Sequence, residues 1–302
     1  MFESSRFSLP LLGTGLLAAA FAVAPASAMV VVDDSFADGD LAQTGALDTD
    51  WWTSSSSSGI EIAVGELGFV TGTSGRGIHT VFPTQTLANV GDKLTATYTF
   101  TTPATVGSGS GSFRVGLFDT LGRAGLEANI SASSSSPSDL YGNAANSVPG
   151  LPGYMLDMDV NNGADDLNFR KHNVASATGR LMGTTGSGSF SSISPSGPDN
   201  AYLLAPNTQY TGSFSIERIN ATEVELTATL DGATHSVTNT FDSVDIGMLA
   251  FHANSNQFGS TNSRGEPDNG LDFSNVTVTF VPEPASLSLL ALGGLAMLRR
   301  RA

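Results

Sequence analysis

Hard oxygen ligands gather most densely between residues 157 and 166. Asp157, Asp159, Asn161, Asn162, Asp165 and Asp166 stand there with Gly163. Carboxylates and amides at that density suit Ca²⁺, although the spacing is not that of an EF-hand: Gly163 falls one place late and no Glu closes the loop. The plain alternative is a polar turn after a strand running from Tyr154 to Val160. Two carboxylate pairs, Asp157/Asp159 and Glu223/Glu225, have members two residues apart, so a strand carries each pair on one face. Paired acids are the material of general acid–base catalysis. Neither pair has a third carboxylate, and both fit the wet face of an amphipathic strand. Trp51 and Trp52, the only tryptophans, offer an indole on which an apolar sugar face can stack. Adjacent strand residues point opposite ways, so at most one of them meets a ligand and the other belongs to the core.

The remaining chemistry is sparse. No G-x-S-x-G, P-loop or H-E-x-x-H sequence is present. His79, His172, His235 and His252 are scattered in or beside strand candidates, the pattern of packing histidines. Thr95, Thr97, Thr99 and Thr101 make one uncharged file of hydroxyls and methyls. An ice-binding surface is built of such files, but it needs several in register on adjacent strands, and Thr is also an ordinary residue for a wet strand face.

The elements that must position these residues alternate with a period of two. Leu94, Ala96, Tyr98 and Phe100 share one face and the four threonines the other. Val224, Leu226, Ala228 and Leu230 alternate with Glu223, Glu225, Thr227 and Thr229, and Val276, Val278 and Phe280 with Thr277 and Thr279. This is the signature of antiparallel strands with one buried and one wet face. Further strands are predicted near 60–64, 67–71, 77–82, 112–119, 153–160, 166–172, 208–219, 233–240 and 246–253, about 12 in all. Asp231-Gly232 marks a hairpin. Ser54 to Ser58, Ser131 to Gly150 and Gly183 to Asn200 read as surface loops. No amphipathic helix is found between the ends, so the predicted fold class is all-β, a two-sheet antiparallel jelly-roll sandwich.

Composition narrows the function. The 302 residues are only 14% charged and carry a net −15. That balance argues against nucleic acid, which needs a basic footprint. The absence of Cys excludes disulfides, thiolate metal sites, Cys nucleophiles and a lipoprotein anchor. Four basic residues (Arg6, Arg299, Arg300, Arg301) and two acidic ones (Glu3, Glu283) lie in the ends, so residues 29–281 alone go from −15 to −17.

Both ends read as targeting segments. Residues 1–28 have a basic n-region at Arg6, an apolar stretch from Leu9 to Val23 and an A-x-A cleavage site at Ala26-Ser27-Ala28, the pattern of a secretory signal for the Sec export machinery. Residues 29–281 form the predicted sandwich domain. The last segment, 282–302, opens with Pro282-Glu283-Pro284, continues through the uncharged run Ala285 to Leu298, and closes with Arg299, Arg300 and Arg301. The apolar run is shorter than the roughly 20 residues of a stable span. The arginines hold its end in the cytoplasm, so the membrane is met only through this segment. The three parts in this order resemble the PEP-CTERM sorting signal. The resemblance implies a Gram-negative bacterium with exopolysaccharide, an inner-membrane intermediate, and exosortase as the membrane protease that recognises the Pro-Glu-Pro region.

Within 29–281, Asp33-Asp34-Ser35-Phe36, Arg76, Phe82-Pro83, Leu87, Gly91-Asp92-Lys93-Leu94, Phe113 to Asp119 and Leu271 to Val276 resemble the concanavalin A-like (laminin G-like) jelly rolls of exported bacterial proteins. The resemblance implies a second place for a structural Ca²⁺, where Asp33 or Asp34 meets Asp272 across the first and last strands. Glycosidases of this kind carry an E-x-D-x-x-E strand with acid and nucleophile roughly 5–5.5 Å apart, which this sequence lacks. The expectation is a non-enzymatic surface or matrix protein associated with extracellular polysaccharide. A carbohydrate-active enzyme of this fold, or an ice-binding or structural surface protein, is the alternative.

Overall fold

The computed structural model describes residues 27–53, 60–69, 75–107, 113–123, 126, 151–159, 167–174, 182, 190–195, 197, 203–254, 257–258 and 270–283. The chain divides into two compact units. Every strand described lies in the unit Ala26–Glu283; the other, Met1–Pro25 with Pro284–Ala302, falls outside the described residues, as do most of the signal segment and the apolar tail. Among the described residues no helix is long and apolar enough to cross a membrane.

Among the described residues fifteen strands follow one another: β1 (Met29–Asp34), β2 (Trp52–Thr53), β3 (Ile60–Ala63), β4 (Glu66–Phe69), β5 (Arg76–Thr86), β6 (Lys93–Thr101), β7 (Phe113–Phe118), β8 (Gly153–Met158), β9 (Leu167–His172), β10 (Phe190–Ile193), β11 (Gln209–Arg218), β12 (Glu223–Leu230), β13 (Ala233–Thr240), β14 (Asp245–Ala253) and β15 (Leu271–Val281). They form two sheets. The first has eight strands in the order β13-β12-β11-β6-β15-β4-β3, with β1 also on β15; the second has seven, in the order β10-β9-β8-β7-β14-β5-β2. All the pairings are antiparallel. β15 is a central strand: β6 runs along one edge, and β4 and then β1 share the other. The architecture is the all-β, two-sheet jelly-roll sandwich.

The inward faces meet in one aromatic-rich core. Leu94, Ala96, Tyr98 and Phe100 of β6 are fully buried, as their alternation predicts. Phe251 of β14 lies 4.7 Å from Phe273 of β15 between ring centres and 5.4 Å, edge-on, from Tyr98. Aromatic contacts at these separations add about 0.5–1.5 kcal/mol each beyond their area. β7 and β14 are buried on both faces. The cause is a second apolar cluster on the outer face of the seven-stranded sheet, where Leu126, Leu151 and Met182 cover Phe118, Met155, Met248 and Ala250. Gly116 is needed beneath it, because an added Cβ would lie 2.2 Å from the Phe118 ring and 2.7 Å from Met182 Sδ.

The predicted hairpin forms at Asp231 (φ 47) and Gly232 (φ 90); two positive φ values are what a type I′ turn requires. Three strands were not read from periodicity. β10 lies inside the stretch 183–200 read as a loop, where it takes four antiparallel partners on β9. β2 has two residues, too few for periodicity. β1 is an apolar run directly after the signal segment, and its alternation shows only when Val32 and Asp34 turn inward.

Candidate functional site: the outer face of the seven-stranded sheet

Register alone assembles this face. One cross-strand row contains Ser192, Arg170, Met155, Gly116, Ala250, His79 and Trp52, one residue from each of the seven strands. A neighbouring row places Asp157 opposite Arg114, and Arg114 opposite His252. Directly opposed strand residues have Cβ atoms about 4.5–5.5 Å apart, so the row brings ionisable groups into contact.

Asp157 is the centre of that contact. Arg114 Nε donates to its Oδ1 at 2.9 Å and Arg170 Nε to its Oδ2 at 2.6 Å. The Asp157 and Arg114 side chains are 2% and 3% exposed. Arg114 Nη1 also donates to the Met182 carbonyl, Asn254 Oδ1 and His252 Nδ1 at 3.2–3.3 Å. His252 is fully enclosed; burial, and then the Arg114 charge, push it well below the ordinary imidazole value. Accepting at Nδ1, it carries its proton on Nε2. Burial pushes His79 down to about 4, and its Nε2 donates to the Leu126 carbonyl at 2.7 Å. Both imidazoles are neutral at physiological pH and serve as packed hydrogen-bonding groups.

This placement corrects the solvent-face reading of Asp157. The carboxylate is buried and bound by two arginines, so it is in no position to act as nucleophile, proton donor or calcium ligand without releasing them. Asp159 is half-buried at the strand end, while Asn161 and Asp165 lie outside the described residues. Glu223 and Glu225 are half-exposed on β12 in the other sheet, far in topology from this face; Glu223 accepts from Asn220 Nδ2. Among the described residues no three His, Asp or Glu side chains gather so as to hold a metal ion.

The tryptophans divide as their adjacency requires. Trp51 is buried against Phe36 and Phe251. Trp52 is half-buried at the sheet edge, 5.7 Å from the His79 ring. A cleft of about 510 Å³ opens beside this sheet between Phe82, Pro83 and Thr84 on one side and Thr120 and Arg123 on the other. Among the described residues no carboxylate lines it.

The Asp33, Asp34 and Asp272 set is also redistributed. Asp34 pairs with Val276 and Asp33 with Thr277, four and five residues along β15 from Asp272, a separation of roughly 10 Å or more. Both Asp34 oxygens are occupied: Trp51 Nε1 donates to Oδ2 at 2.6 Å and the Phe36 amide to Oδ1 at 2.7 Å. Sequence reasoning missed this Asp34–Trp51 bond; the pairing of a buried indole with a nearby Asp was its only signal.

Burial raises Asp34 to about 6 despite those two donors, and the neighbouring Asp48 adds to the rise. Burial also acts on Asp48, but donors from Thr44 and Thr49 hold that carboxylate below its ordinary value. The sign follows from linkage. A carboxyl raised in the folded state stabilises fully below its unfolded value near 3.8, and the contribution is lost as pH rises through about 6. Stability should therefore rise by about 1–3 kcal/mol between pH 7.5 and pH 4.5. Asp34→Asn should flatten that part of a melting-temperature profile; an unchanged profile in the variant would assign it to another group.

Residues 280–302 match the PEP-CTERM protein-sorting motif. The tail marks an exported bacterial protein that exosortase sorts. No curated protein matches the chain. Among solved structures the chain is similar to peanut lectin with a bound 9mer peptide, at TM-score 0.47 and 8% identity over 85% of this chain and 98% of that one. It is similar to an endo-1,3-beta-glucanase from Streptomyces sioyaensis, at TM-score 0.45 and 14% identity over 86% and 100%. It is also similar to lectin I-B4 from Griffonia simplicifolia in a metal-free form, at TM-score 0.40 and 8% identity over 82% and 98%.

Proposed function

We propose that the chain is a non-enzymatic β-sandwich of the cell surface or extracellular matrix of a Gram-negative bacterium. It is released or transferred by exosortase from an inner-membrane intermediate, and it associates with polysaccharide. The observation that carries this reading is the junction at the end of β15. A strand central to its sheet ends at Val281, and Pro282 follows at once. Processing in the Pro-Glu-Pro region leaves every described strand in place, so a folded domain is what reaches the outside. The binding of Asp157 by two arginines supports a role without turnover, since both oxygens of that carboxylate are already engaged.

Expression in an exosortase-bearing host tests this. The exported chain should have a mass that ends in the Pro-Glu-Pro region, should sediment with exopolysaccharide, and should release no reducing sugar from a panel of polysaccharides. Sugar release would replace the binding role with catalysis. An exported chain of full length that stays clear of the matrix would sink the whole reading.

A further inference from the structure

The outer face of the eight-stranded sheet carries a hydroxyl lattice that register, rather than any one strand, creates. One cross-strand row is Ser236, Thr227, Ser215, Thr95 and Thr279; the next is Thr234, Thr229, Ser213, Thr97 and Thr277. All ten positions, on β13, β12, β11, β6 and β15, are Ser or Thr. A third row adds Thr211, Thr99 and Asn275. Neighbouring hydroxyls bond across the strands: Ser213 to Thr229 at 2.6 Å, Thr227 to Ser236 at 2.8 Å and Thr99 to Thr211 at 3.2 Å. Ser215 is buried, the other β6, β11, β12 and β15 members of the two rows are half-buried, and Thr234 and Ser236 are exposed. The lattice spans about 19 Å across the strands, with rows about 6.7 Å apart.

No charge interrupts those ten positions in a chain of net −15. The charged row lies beyond them, where Lys93 meets Glu217 at 3.2 Å with Glu225 opposite. Asp33 bounds the other side, opposite Thr277. The acidic surroundings repel polyanions, so the partner is neutral. Each Ser or Thr hydroxyl both donates and accepts, which matches a partner whose own groups are hydroxyls, and the Thr methyls offer apolar contact. The lattice has the register of an ice-binding surface, but adjacent strands turn by roughly 20–25°. A rigid crystal plane therefore meets only part of five strands, whereas a polymer with freely rotating linkages can follow the twist. Individually weak hydroxyl contacts accumulate along a repeating chain.

We infer that this Ser/Thr face is the docking surface for a neutral polysaccharide lying across β13, β12, β11, β6 and β15. The inference rests on the polysaccharide-association reading and assigns it to a face distinct from Trp52 and the Asp157 cluster.

Affinity electrophoresis of the exported protein in gels holding a soluble neutral β-glucan, a neutral α-glucan or polygalacturonate tests it. At least one neutral glucan should retard the protein and polygalacturonate should not. Thr97→Glu should weaken the retardation at least tenfold, Thr97→Ser should keep it, and Ser236→Glu, on the exposed edge, should reproduce the loss with an unchanged melting temperature. Loss with Trp52→Ala but not with Thr97→Glu or Ser236→Glu would overturn this inference and leave polysaccharide association standing. Retardation by none of the neutral glucans would overturn both. Ice-recrystallisation inhibition, or a dimer, abolished by Ser236→Glu would give the face to ice or to a second copy and overturn the glycan assignment.

Discussion

Asp157→Ala is expected to lower the melting temperature by about 10 °C. Removing one partner of a buried ion pair costs about 3–5 kcal/mol, and each kcal/mol shifts a domain of this size by roughly 2–4 °C. The cost is large here because two arginines depend on the one carboxylate, and Arg114 has a side chain only 3% exposed. The loss leaves two like charges facing each other beside the neutral His252. Asp157→Asn keeps the shape and one acceptor and should cost somewhat less. Asp231→Asn, at the exposed turn between β12 and β13, is a surface change and should shift the melting temperature by no more than a degree or two. Replacing all three partners together, Asp157→Leu with Arg114→Met and Arg170→Met, should recover much of the loss, because a well-packed apolar cluster often equals a buried ion network. Thermal unfolding followed by circular dichroism reads all four variants. A shift below about 2 °C for Asp157→Ala would mean that water reaches the arginines and that the outer face is open.

The same carboxylate shows where sequence reading stops. Its strand was legible, because Met155 and Asp157 alternate with Tyr154, Leu156 and Met158. Its role was not, because Arg114 lies 43 residues upstream and only the β7–β8 register brings it opposite. Seen along the chain, Asp157 joins Asp159, Asn161 and Asp165 in an acidic run; seen across strands, it belongs to two arginines. Alternation along β6 and β12 was strong enough to give both strands, and the Asp231-Gly232 turn to give β13, the neighbour of β12. The threonine file of β6 was visible for the same reason. Its continuation through Ser213, Thr229 and Thr234 was not, since a one-residue slip in any pairing would have scattered it. The tryptophans lie between these cases: period two separates Trp51 from Trp52, and Asp34 then decides which one is inside. β10 and β2 failed for a physical reason, as edge strands of four and two residues owe their form to a neighbour more than to their own sequence.

Glu283→Ala is expected to abolish sorting altogether, leaving the full-length chain in the membrane fraction of an exosortase-bearing host. Glu283 is the only charge between Val281 and Arg299, so it is the one group there able to form a charge-assisted contact with a protease. The structure adds a second grip on the same residue. The Glu283 amide donates to Asp92 Oδ1 at 2.7 Å, while Asp92 Oδ2 accepts from the Asn89 amide at 2.7 Å. The turn between β5 and β6 thus holds the start of the motif, and Glu283 passes beside Gly91, whose φ of +99° leaves it no Cβ there without strain. Two roles can then be separated. If Glu283 matters as a recognised side chain, Glu283→Gln should also block processing, while Asp92→Ala, which loses the backbone bond, should still be processed and should lose about 1–3 kcal/mol of stability. If the sandwich must present the motif in a fixed pose, Asp92→Ala should fail as well. Immunoblots of membrane and exported fractions distinguish these outcomes, and normal processing of Glu283→Ala would remove that residue from the recognition element.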